Sequence, residues 1–304
     1  MPELPDIEAY LTALRPRVVD QPLLKATLGS PFLLRTVEPP LSVLKDRPVT
    51  AVHRIGKRIV FDFPDQLHLV LHLMIAGRLH WKDKGPPKGG KKALLALTFP
   101  DGILSLTEAG SLRRASLHLV QSDAALAEFD RGGLEVLQAS LDAFARRVRS
   151  ENHTLKRTLT DPRLLSGIGN AYSDEILHRA RLSPMLLTGR ITDEEMARLH
   201  RATIDVLVEW RERLVAEANQ VFPEKVTAFR PEMAVHGRYG LPCPVCAAPV
   251  QRIRYASNET NYCPTCQTGG RLLADRSLSR LLKDDWPRSL EELEELNLRV
   301  RPPG

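Results

Sequence analysis

Apolar residues recur at helical spacing directly after the N-terminus, at Ile7, Tyr10, Leu11, Leu14 and Val18. This spacing predicts an amphipathic helix that starts near Pro5 or Asp6. Between residues 23 and 106 the pattern changes to short aliphatic segments separated by turn sequences such as Phe-Pro-Asp and Pro-Asp-Gly. Several short strands at this spacing are typical of a β-sandwich.

The apolar pattern becomes helical again from about Gly133. Helices are predicted over residues 134–144, around Leu155 and Leu159, and over residues 191–214. Alternation at residues 250–255, a turn at 256–258 and the return through Tyr262 predict a β-hairpin. A basic, leucine-bearing helix is expected over residues 275–283, ahead of an acidic stretch that ends near residue 296.

The hairpin lies between the cysteines of the chain, which are Cys243, Cys246, Cys263 and Cys266. Two Cys-x-x-Cys pairs at this spacing suit a tetrahedral zinc ion, with two disulfides as the alternative. The first ten residues are charged and contain prolines, unlike a secretory leader. A reducing compartment is therefore expected, and there the pattern favours metal. The sequence predicts one structural Zn²⁺ held by all four thiolates.

Composition narrows the class of protein. With 304 residues, 43% of them hydrophobic, the chain can form two hydrophobic cores and a small metal module. No apolar run approaches the length of about 18 residues that a membrane span needs, so no membrane partner is expected and the location is predicted to be cytoplasmic. The net charge of +6 favours contact with a phosphate backbone, although such a charge also serves solubility alone.

These patterns predict an α+β multidomain protein. The predicted domains are an N-terminal β-sandwich at residues 1–132, a helical domain at 133–230, a zinc-finger hairpin at 231–272 and a C-terminal helical extension at 273–304.

The second residue offers chemistry if Met1 is removed. Pro2 then carries a secondary α-amine, and an ordinary amino-terminal pKa near ~8 leaves part of it unprotonated at neutral pH. Such an amine attacks an electrophilic carbon to form an iminium, and Glu3 beside it can move protons. The plainer interpretation is a proline that merely follows the initiator methionine.

Two further motifs suggest contact with an anion. Lys57 lies in a basic run beside a glycine, which is either a phosphate clamp or an ordinary solvated surface. Gly167-Ile-Gly-Asn170 predicts a tight turn into a helix with Asn170 as its N-cap, and the start of a helix binds phosphate well. Lys156 on the preceding helix adds a cation.

In combination these motifs resemble the formamidopyrimidine-DNA glycosylase/endonuclease VIII family, which excises damaged bases from DNA. The matching segments are Pro-Glu-Leu-Pro at 2–5, Gly-Lys at 56–57, Ile-Gly-Asn-Ala-Tyr at 168–172 and the four-cysteine finger with its lead-in at 236–243. The resemblance covers residues 1 to about 270. It implies a helix–two-turn–helix motif in the helical domain and damaged double-stranded DNA as the partner, bound in the cleft between the domains. A monomer is expected.

The resemblance also implies roles for individual residues. Pro2 matches the amine that attacks C1′ of the damaged nucleotide. Glu3 matches the residue that handles protons during ring opening and elimination, and Lys57 matches the cation near the lesion phosphate. Lys156 and Asn170 match phosphate-binding residues of the helical motif.

Other positions concern the extruded nucleotide. Met74 matches the side chain pushed into the base stack when the damaged nucleotide leaves it, unless it belongs to the core. The family's arginine five residues before the third cysteine, which binds the phosphate beside the lesion and is implicated in δ-elimination, is replaced by the uncharged Asn258. The Arg-Phe pair of the family's wedge is not found in place at residues 107–116, and residues 217–229 replace its glycine-rich loop. The preferred lesion is therefore open.

The predicted function is that of a bifunctional DNA glycosylase/AP lyase that removes oxidised bases in base excision repair. Two alternatives are a non-catalytic lesion- or junction-binding protein on the same scaffold and a zinc-ribbon adaptor that binds protein. Asn258 and the altered wedge make the binding protein conceivable. Pro2, Glu3 and Lys57 together favour the enzyme, because a binding protein has no need of a free N-terminal amine.

Overall fold

The computed structural model describes residues 1–109, 113–255, 258–274 and 287–300. It divides into two compact units. The first comprises Met1–Gly133 and Leu207–Thr227, and the second Leu134–Val206 and Ala228–Gly304. The predicted helix at 275–283 lies outside the described residues, and the four domain boundaries drawn from the sequence stay a prediction.

The first unit begins with helix α1 (Leu4–Val18), whose start is fixed by a capping box. The Glu3 side chain accepts the backbone N–H of Asp6, and Asp6 Oδ2 accepts the backbone N–H of Glu3 at 2.9 Å. Pro5 lies in the first turn, where a missing N–H leaves no hydrogen bond unmade. The apolar face of the helix is buried, so the predicted N-terminal helix is confirmed.

A β-sandwich forms the body of this unit. Its strands are β1 (Lys25–Leu28), β2 (Ala51–Ile55), β3 (Arg58–Phe63), β4 (Leu67–His72), β5 (Gly77–Lys82), β6 (Leu95–Phe99), β7 (Gly102–Glu108) and β8 (Ser116–Gln121). They form two antiparallel sheets, of order β1-β6-β7-β5 and β2-β3-β4-β8. Side chains of both sheets and of α1, among them Phe61, Leu104 and Tyr10, join one hydrophobic core. The predicted α+β fold with an N-terminal sandwich is confirmed, and the short helix α2 (Asp123–Ala127) follows β8.

A tight turn joins β2 to β3 within the region, residues 23–106, where the sequence predicts short strands. Ile55 pairs with Arg58, so Gly56 and Lys57 alone make the turn. Gly56 has a φ of +58°, which a residue with a side chain rarely adopts. The turn places Lys57 at the end of the hairpin.

The second unit contains helices α3 (Leu141–Arg149), α4 (Leu155–Thr160), α5 (Asn170–Ala180) and α6 (Asp193–Gln220), the last of which continues into the first unit. The predicted helix over 134–144 is wrong in its first half, where Val136–Gln138 forms a 3₁₀ turn. Ser140 interrupts the helix because its side chain caps α3 by accepting the Ala143 N–H.

The start of α5 also differs from the prediction. Gly169 is the N-cap, and Asn170 is the first helical residue. The Asn170 side chain does not cap the helix, because its amide donates instead to the carbonyl of Glu259 at 2.9 Å.

The four-cysteine segment folds as predicted. The antiparallel strands β9 (Gln251–Tyr255) and β10 (Asn258–Tyr262) form the hairpin, and α7 (Pro264–Thr268) follows them. The segment has a small core of its own, composed of Val235, Cys243, Val250 and Cys263. Helix α8 (Leu290–Val300) lies in the acidic C-terminal region. Among the residues described above, no helix is both long and apolar enough to cross a membrane.

Candidate functional site

The N-terminal amine of the chain lies in a buried corner of the first unit. Pro2 and Glu3 are both buried, and Glu3 is only 2% exposed. Burial is the main cause that lowers the pKa of the amine at Met1, and the carboxylate of Glu3 opposes this effect. The positive charges of Arg78 and Lys57 lower the same pKa further. An amine in this position is therefore less protonated at neutral pH than an ordinary chain terminus.

Lys57 belongs to the same corner. Burial lowers the pKa of its ammonium, Glu3 raises it, and Arg58 lowers it. Since Lys57 interacts electrostatically with both Glu3 and the N-terminal amine, the structure brings together the three positions predicted as catalytic, Pro2, Glu3 and Lys57.

One arginine and two histidines, Arg58, His72 and His118, adjoin Lys57. His72 ends β4 and is the register partner of Arg58 on β3. Burial, followed by the charges of Arg58, Lys57 and His118, lowers the pKa of His72 to about 4. Burial and the neighbouring positive charges thus keep the His72 imidazole neutral at neutral pH, beside the cations Lys57 and Arg58. Sequence reasoning missed His72, because its approach to Arg58 depends on a strand register that the apolar pattern does not give.

The turn between β4 and β5 carries the predicted wedge. Met74 has a φ of +52° and is half-buried, whereas its neighbour Ile75 is 53% exposed. Arg78 Nη1 donates to the carbonyls of Gly77 at 2.7 Å and of Ile75 at 3.3 Å and so braces the turn. A Cβ at Gly77 would lie 2.3 Å from the carbonyl oxygen of Leu73, so only glycine fits there. Met74 stays a prediction, and Ile75 is the apolar side chain that the turn presents to solvent.

The second candidate site is the start of α5 in the second unit. Gly167 has a φ of +82°, which permits the tight entry into the helix. Lys156 Nζ donates to the carbonyl of Asn170 at 2.7 Å, to Ser173 Oγ at 2.8 Å and to Asp174 Oδ1 at 2.5 Å. Two of the predicted DNA-binding residues, Lys156 and Asn170, are thus in direct contact.

The third predicted residue of this unit, Asn258, is exposed at the start of β10. Its neighbour Glu259 provides the carbonyl that accepts the Asn170 amide. Asn258 therefore lies one residue along the chain from a direct contact with α5. Position 258 is thus an uncharged asparagine where the family that the sequence resembles carries an arginine.

The four predicted metal ligands converge. The sulfur atoms of Cys243, Cys246, Cys263 and Cys266 all lie within 4.8 Å of one another. The Cys243 and Cys266 sulfurs are 3.9 Å apart, and those of Cys246 and Cys263 are 3.4 Å apart. Sulfurs about 2.3 Å from a tetrahedral zinc ion are separated by about 3.8 Å, whereas a disulfide requires about 2.05 Å. The cluster fits a zinc ion and does not fit two disulfides.

Polar groups surround the sulfurs. The backbone N–H groups of Val245 and Cys266 point at the Cys243 and Cys263 sulfurs, at 3.5 Å and 3.4 Å. His178 of α5 brings Nε2 within 3.3 Å of the Cys243 sulfur. Contacts of this kind orient the sulfurs that bind a metal.

Comparison with known proteins finds matches to one glycosylase family in three successive segments of the chain. The family models of the formamidopyrimidine-DNA glycosylase N-terminal domain, of its H2TH domain and of the zinc finger found in FPG and IleRS match residues 1–112, 134–213 and 240–269. Formamidopyrimidine-DNA glycosylase from Thermus thermophilus is 33% identical over 282 residues, which are 89% of this chain and 100% of that protein.

Solved structures agree in fold. A mutant of Lactococcus lactis FPG in complex with a Fapy-dG containing DNA has a TM-score of 0.77 and 25% identity, and covers 88% of this chain and 100% of its own. Lactococcus lactis FPG non-covalently bound to an AP-site containing DNA has a TM-score of 0.76 and 25% identity, and covers 88% of this chain and 99% of its own. The resemblance predicted from the sequence motifs is confirmed, and the chain belongs to the formamidopyrimidine-DNA glycosylase family.

Proposed function

We propose that this protein is a bifunctional DNA glycosylase/AP lyase that removes oxidised bases from double-stranded DNA in base excision repair. The observation that carries the proposal is the buried corner at Pro2 and Glu3, where burial lowers the pKa of the amine at Met1 and where Glu3 and Lys57 act on that amine. The names of the relatives support it, since they are DNA glycosylases, one bound to Fapy-dG containing DNA and another to AP-site DNA.

The mechanism starts with removal of Met1, which leaves Pro2 with a secondary amine in this corner. The amine nitrogen forms a bond to C1′ as the bond from C1′ to the damaged base breaks, and the base leaves with its electron pair and takes up a proton. Opening of the sugar ring transfers a proton to O4′ and gives an iminium between Pro2 and C1′. Loss of a C2′ proton then expels the 3′ phosphate by β-elimination.

The roles of the other two residues follow from their positions. Glu3 is the buried carboxylate beside the amine, and it moves protons during ring opening and elimination. Lys57 places a positive charge near the leaving groups. Together with Arg58 it forms a pair of cations that suits the phosphate next to the lesion, and the neutral imidazole of His72 lies beside them as a hydrogen-bonding group.

We expect the second unit to make further contacts with the phosphate backbone of the DNA. The start of α5 presents the positive end of the helix dipole, with Asn170 in its first turn and Asn258 on the adjoining hairpin. One Zn²⁺ bound by the four cysteines holds that hairpin in shape. The protein would act as a monomer, in the cytoplasm, on DNA of the nucleoid.

Borohydride trapping on DNA with a single abasic site tests this function. Reduction of the iminium should give a stable adduct of protein and DNA, with the DNA attached to the peptide that begins at Pro2. If the protein binds this DNA but yields no adduct, the non-catalytic binding protein becomes the better description. Cleavage of a panel of oxidised-base duplexes by the active protein then identifies the lesion.

The pH profile of this reaction should depend on Arg78. Glu3 and Asp6 raise the pKa of the amine at Met1, whereas Arg78 and Lys57 lower it, and the same charges would act on the neighbouring Pro2 amine once Met1 is removed. Arg78→Gln removes a positive charge, so the pKa of the amine rises. Because only the unprotonated amine attacks, the acid limb of kcat/KM against pH should move to higher pH, with the alkaline limb unchanged.

Arg201→Gln is the matched control for Arg78, since Arg201 is exposed on the part of α6 that belongs to the second unit and is not among the charges named as acting on the amine at Met1. Its pH profile should equal that of the unaltered protein. An acid limb that stays in place in Arg78→Gln would show that this charge does not tune the nucleophile.

The products of strand cleavage should reflect Asn258. With no charged side chain at this position, cleavage is expected to stop mainly after β-elimination. Asn258→Arg restores a cation beside the phosphate and should raise the fraction of δ-elimination product, which separates from the β product on a sequencing gel. Thr50→Arg adds the same charge at an exposed position ahead of β2 and should leave the product ratio unchanged. An unaltered protein that gives mostly δ product would contradict the expectation.

A further inference from the structure

One face of α5 carries polar residues that all contact the zinc-finger segment. Asn170, Asp174 and His178 are spaced by four residues and therefore lie along one stripe of the helix. Asn170 donates to the carbonyl of Glu259, and His178 lies against the Cys243 sulfur. The helix whose first turn is the candidate phosphate site is thus also the surface on which the finger rests.

Asp174 is the central member of this stripe. It is completely buried, and both of its oxygens are used. Oδ1 accepts from Lys156 Nζ at 2.5 Å, and Oδ2 accepts from His236 Nδ1 at 2.7 Å. His236 is 4% exposed and stacks on Phe229 with ring centroids 5.6 Å apart. The three side chains form a continuous Lys156–Asp174–His236 chain that runs from α4 through α5 to the lead-in of the finger.

Glu175 binds the backbone at the beginning of this lead-in, at residues 234–236. Its buried carboxylate accepts the backbone N–H groups of Ala234, Val235 and His236 at 2.7, 2.9 and 2.9 Å. The next residue, Gly237, donates its N–H to Asn261 Oδ1 on β10 at 2.8 Å. The lead-in is therefore bonded on one side to α5 and on the other to the hairpin that carries Asn258.

Lys156 has little capacity left for a phosphate. Its ammonium has three N–H donors, and it makes three hydrogen bonds inside the unit. Its side chain is only 12% exposed. If Lys156 turned toward DNA, Asp174 would lose the cation that compensates its buried charge, and an uncompensated buried charge is strongly unfavourable.

We propose that the buried Lys156–Asp174–His236 chain positions the finger hairpin against the start of α5, so that Lys156 supports DNA binding through Asp174 and not by contact with a phosphate. Asp174 and His236 are then positioning residues for the phosphate site formed by Asn170 and Asn258. This inference rests on the proposed function, because it assigns a role to these residues in DNA binding.

The experiment uses the full-length, zinc-loaded protein and a duplex with a stable abasic-site analogue. Asp174→Asn removes the charge and keeps the shape, and His236→Phe removes the donor and keeps the ring against Phe229. Lys156→Met and the double variant Lys156→Met/Asp174→Asn complete a mutant cycle. Asp205→Asn makes the same chemical change at an exposed position of α6 and is the matched control.

Asp174→Asn and His236→Phe should each raise the Kd for this duplex by about tenfold. At saturating DNA the borohydride trapping rate on true abasic DNA should stay within about twofold of the unaltered protein, since the nucleophile belongs to the other unit. Lys156→Met should raise the Kd without changing the salt dependence of binding. The fold increase in Kd for the double variant should be smaller than the product of the fold increases for the two single variants, because the double variant leaves no unpaired buried charge.

Two results would overturn the inference. In the first, Asp174→Asn and His236→Phe bind DNA with the same Kd as the control Asp205→Asn. The other is Lys156→Met lowering the salt slope by about one unit, which is the signature of a lost phosphate contact. Thermal unfolding and zinc content are measured for every variant, and if Asp174→Asn fails to fold, His236→Phe decides alone. Failure of the unaltered protein to bind abasic DNA would instead contradict the proposed function.

Discussion

Protein that keeps any residue in front of Pro2 should lose borohydride trapping on abasic DNA by a factor on the order of 10³ or more. An added residue converts the secondary amine of Pro2 into an amide, whose nitrogen lone pair is delocalised into the carbonyl and does not attack C1′. Intact mass gives the fraction of chains that begin at Pro2, and this fraction should equal the fraction that can be trapped.

The control for this prediction is the same tag placed after Gly304, which leaves the amine free and should preserve trapping. Pro2→Gly should keep part of the activity, because a primary amine remains. Full trapping by the N-terminally tagged protein would show that another amine is the nucleophile. Lys57 would then be the first candidate, since burial lowers its pKa and it interacts with Glu3. Peptide mapping of the adduct distinguishes Pro2 from Lys57.

The parts of this protein that the sequence predicted well are those set by local spacing. The Cys-x-x-Cys pairs specify their own geometry, and the four sulfurs converge as expected. The apolar stripe of α1 and the alternation of β9 are likewise readable over a few residues. Gly167 was recognised as a turn former, and its φ is positive, at +82°.

The parts that the sequence did not predict depend on contacts between distant segments. His72 meets Arg58 only because β3 and β4 pair in one register. Asp174 and Glu175 bond to His236 and its neighbours, about 60 residues away. A distant contact also explains why Asn170 is not the predicted N-cap, because its side-chain amide donates to the carbonyl of Glu259. Such partners carry no local signal.

The second prediction with a large expected effect concerns loss of the zinc site. Cys263→Ser should lose the metal and unfold the finger, and DNA binding should fall with it. Structural zinc contributes roughly 10–16 kcal/mol to the folding of such a module. The apolar core that would remain is very small, because two of its four buried residues are the ligands Cys243 and Cys263 themselves. A core of this size does not hold a fold without the metal.

Hydrogen exchange shows how far the loss extends. In Cys263→Ser, exchange protection should disappear over residues 234–272, while the strands of the sandwich keep theirs because they belong to a separate core. Val245→Ala is the matched control, since Val245 lies in the same finger, is 60% exposed and is no ligand. It should retain one zinc per chain by elemental analysis and unchanged protection. A Cys263→Ser protein that keeps one zinc and its DNA affinity would contradict the four-thiolate site.

The first turns of α5 should also exchange faster in Cys263→Ser, although no residue of that helix has been changed. Asn170, Asp174 and Glu175 all have hydrogen-bond partners in the finger or its lead-in, and unfolding of that segment leaves these polar groups without them. A buried carboxylate that loses its donors is costly, so the helix start opens to obtain water. DNA affinity should therefore fall by more than removal of the hairpin contact alone, because the same event loosens the phosphate-binding turn.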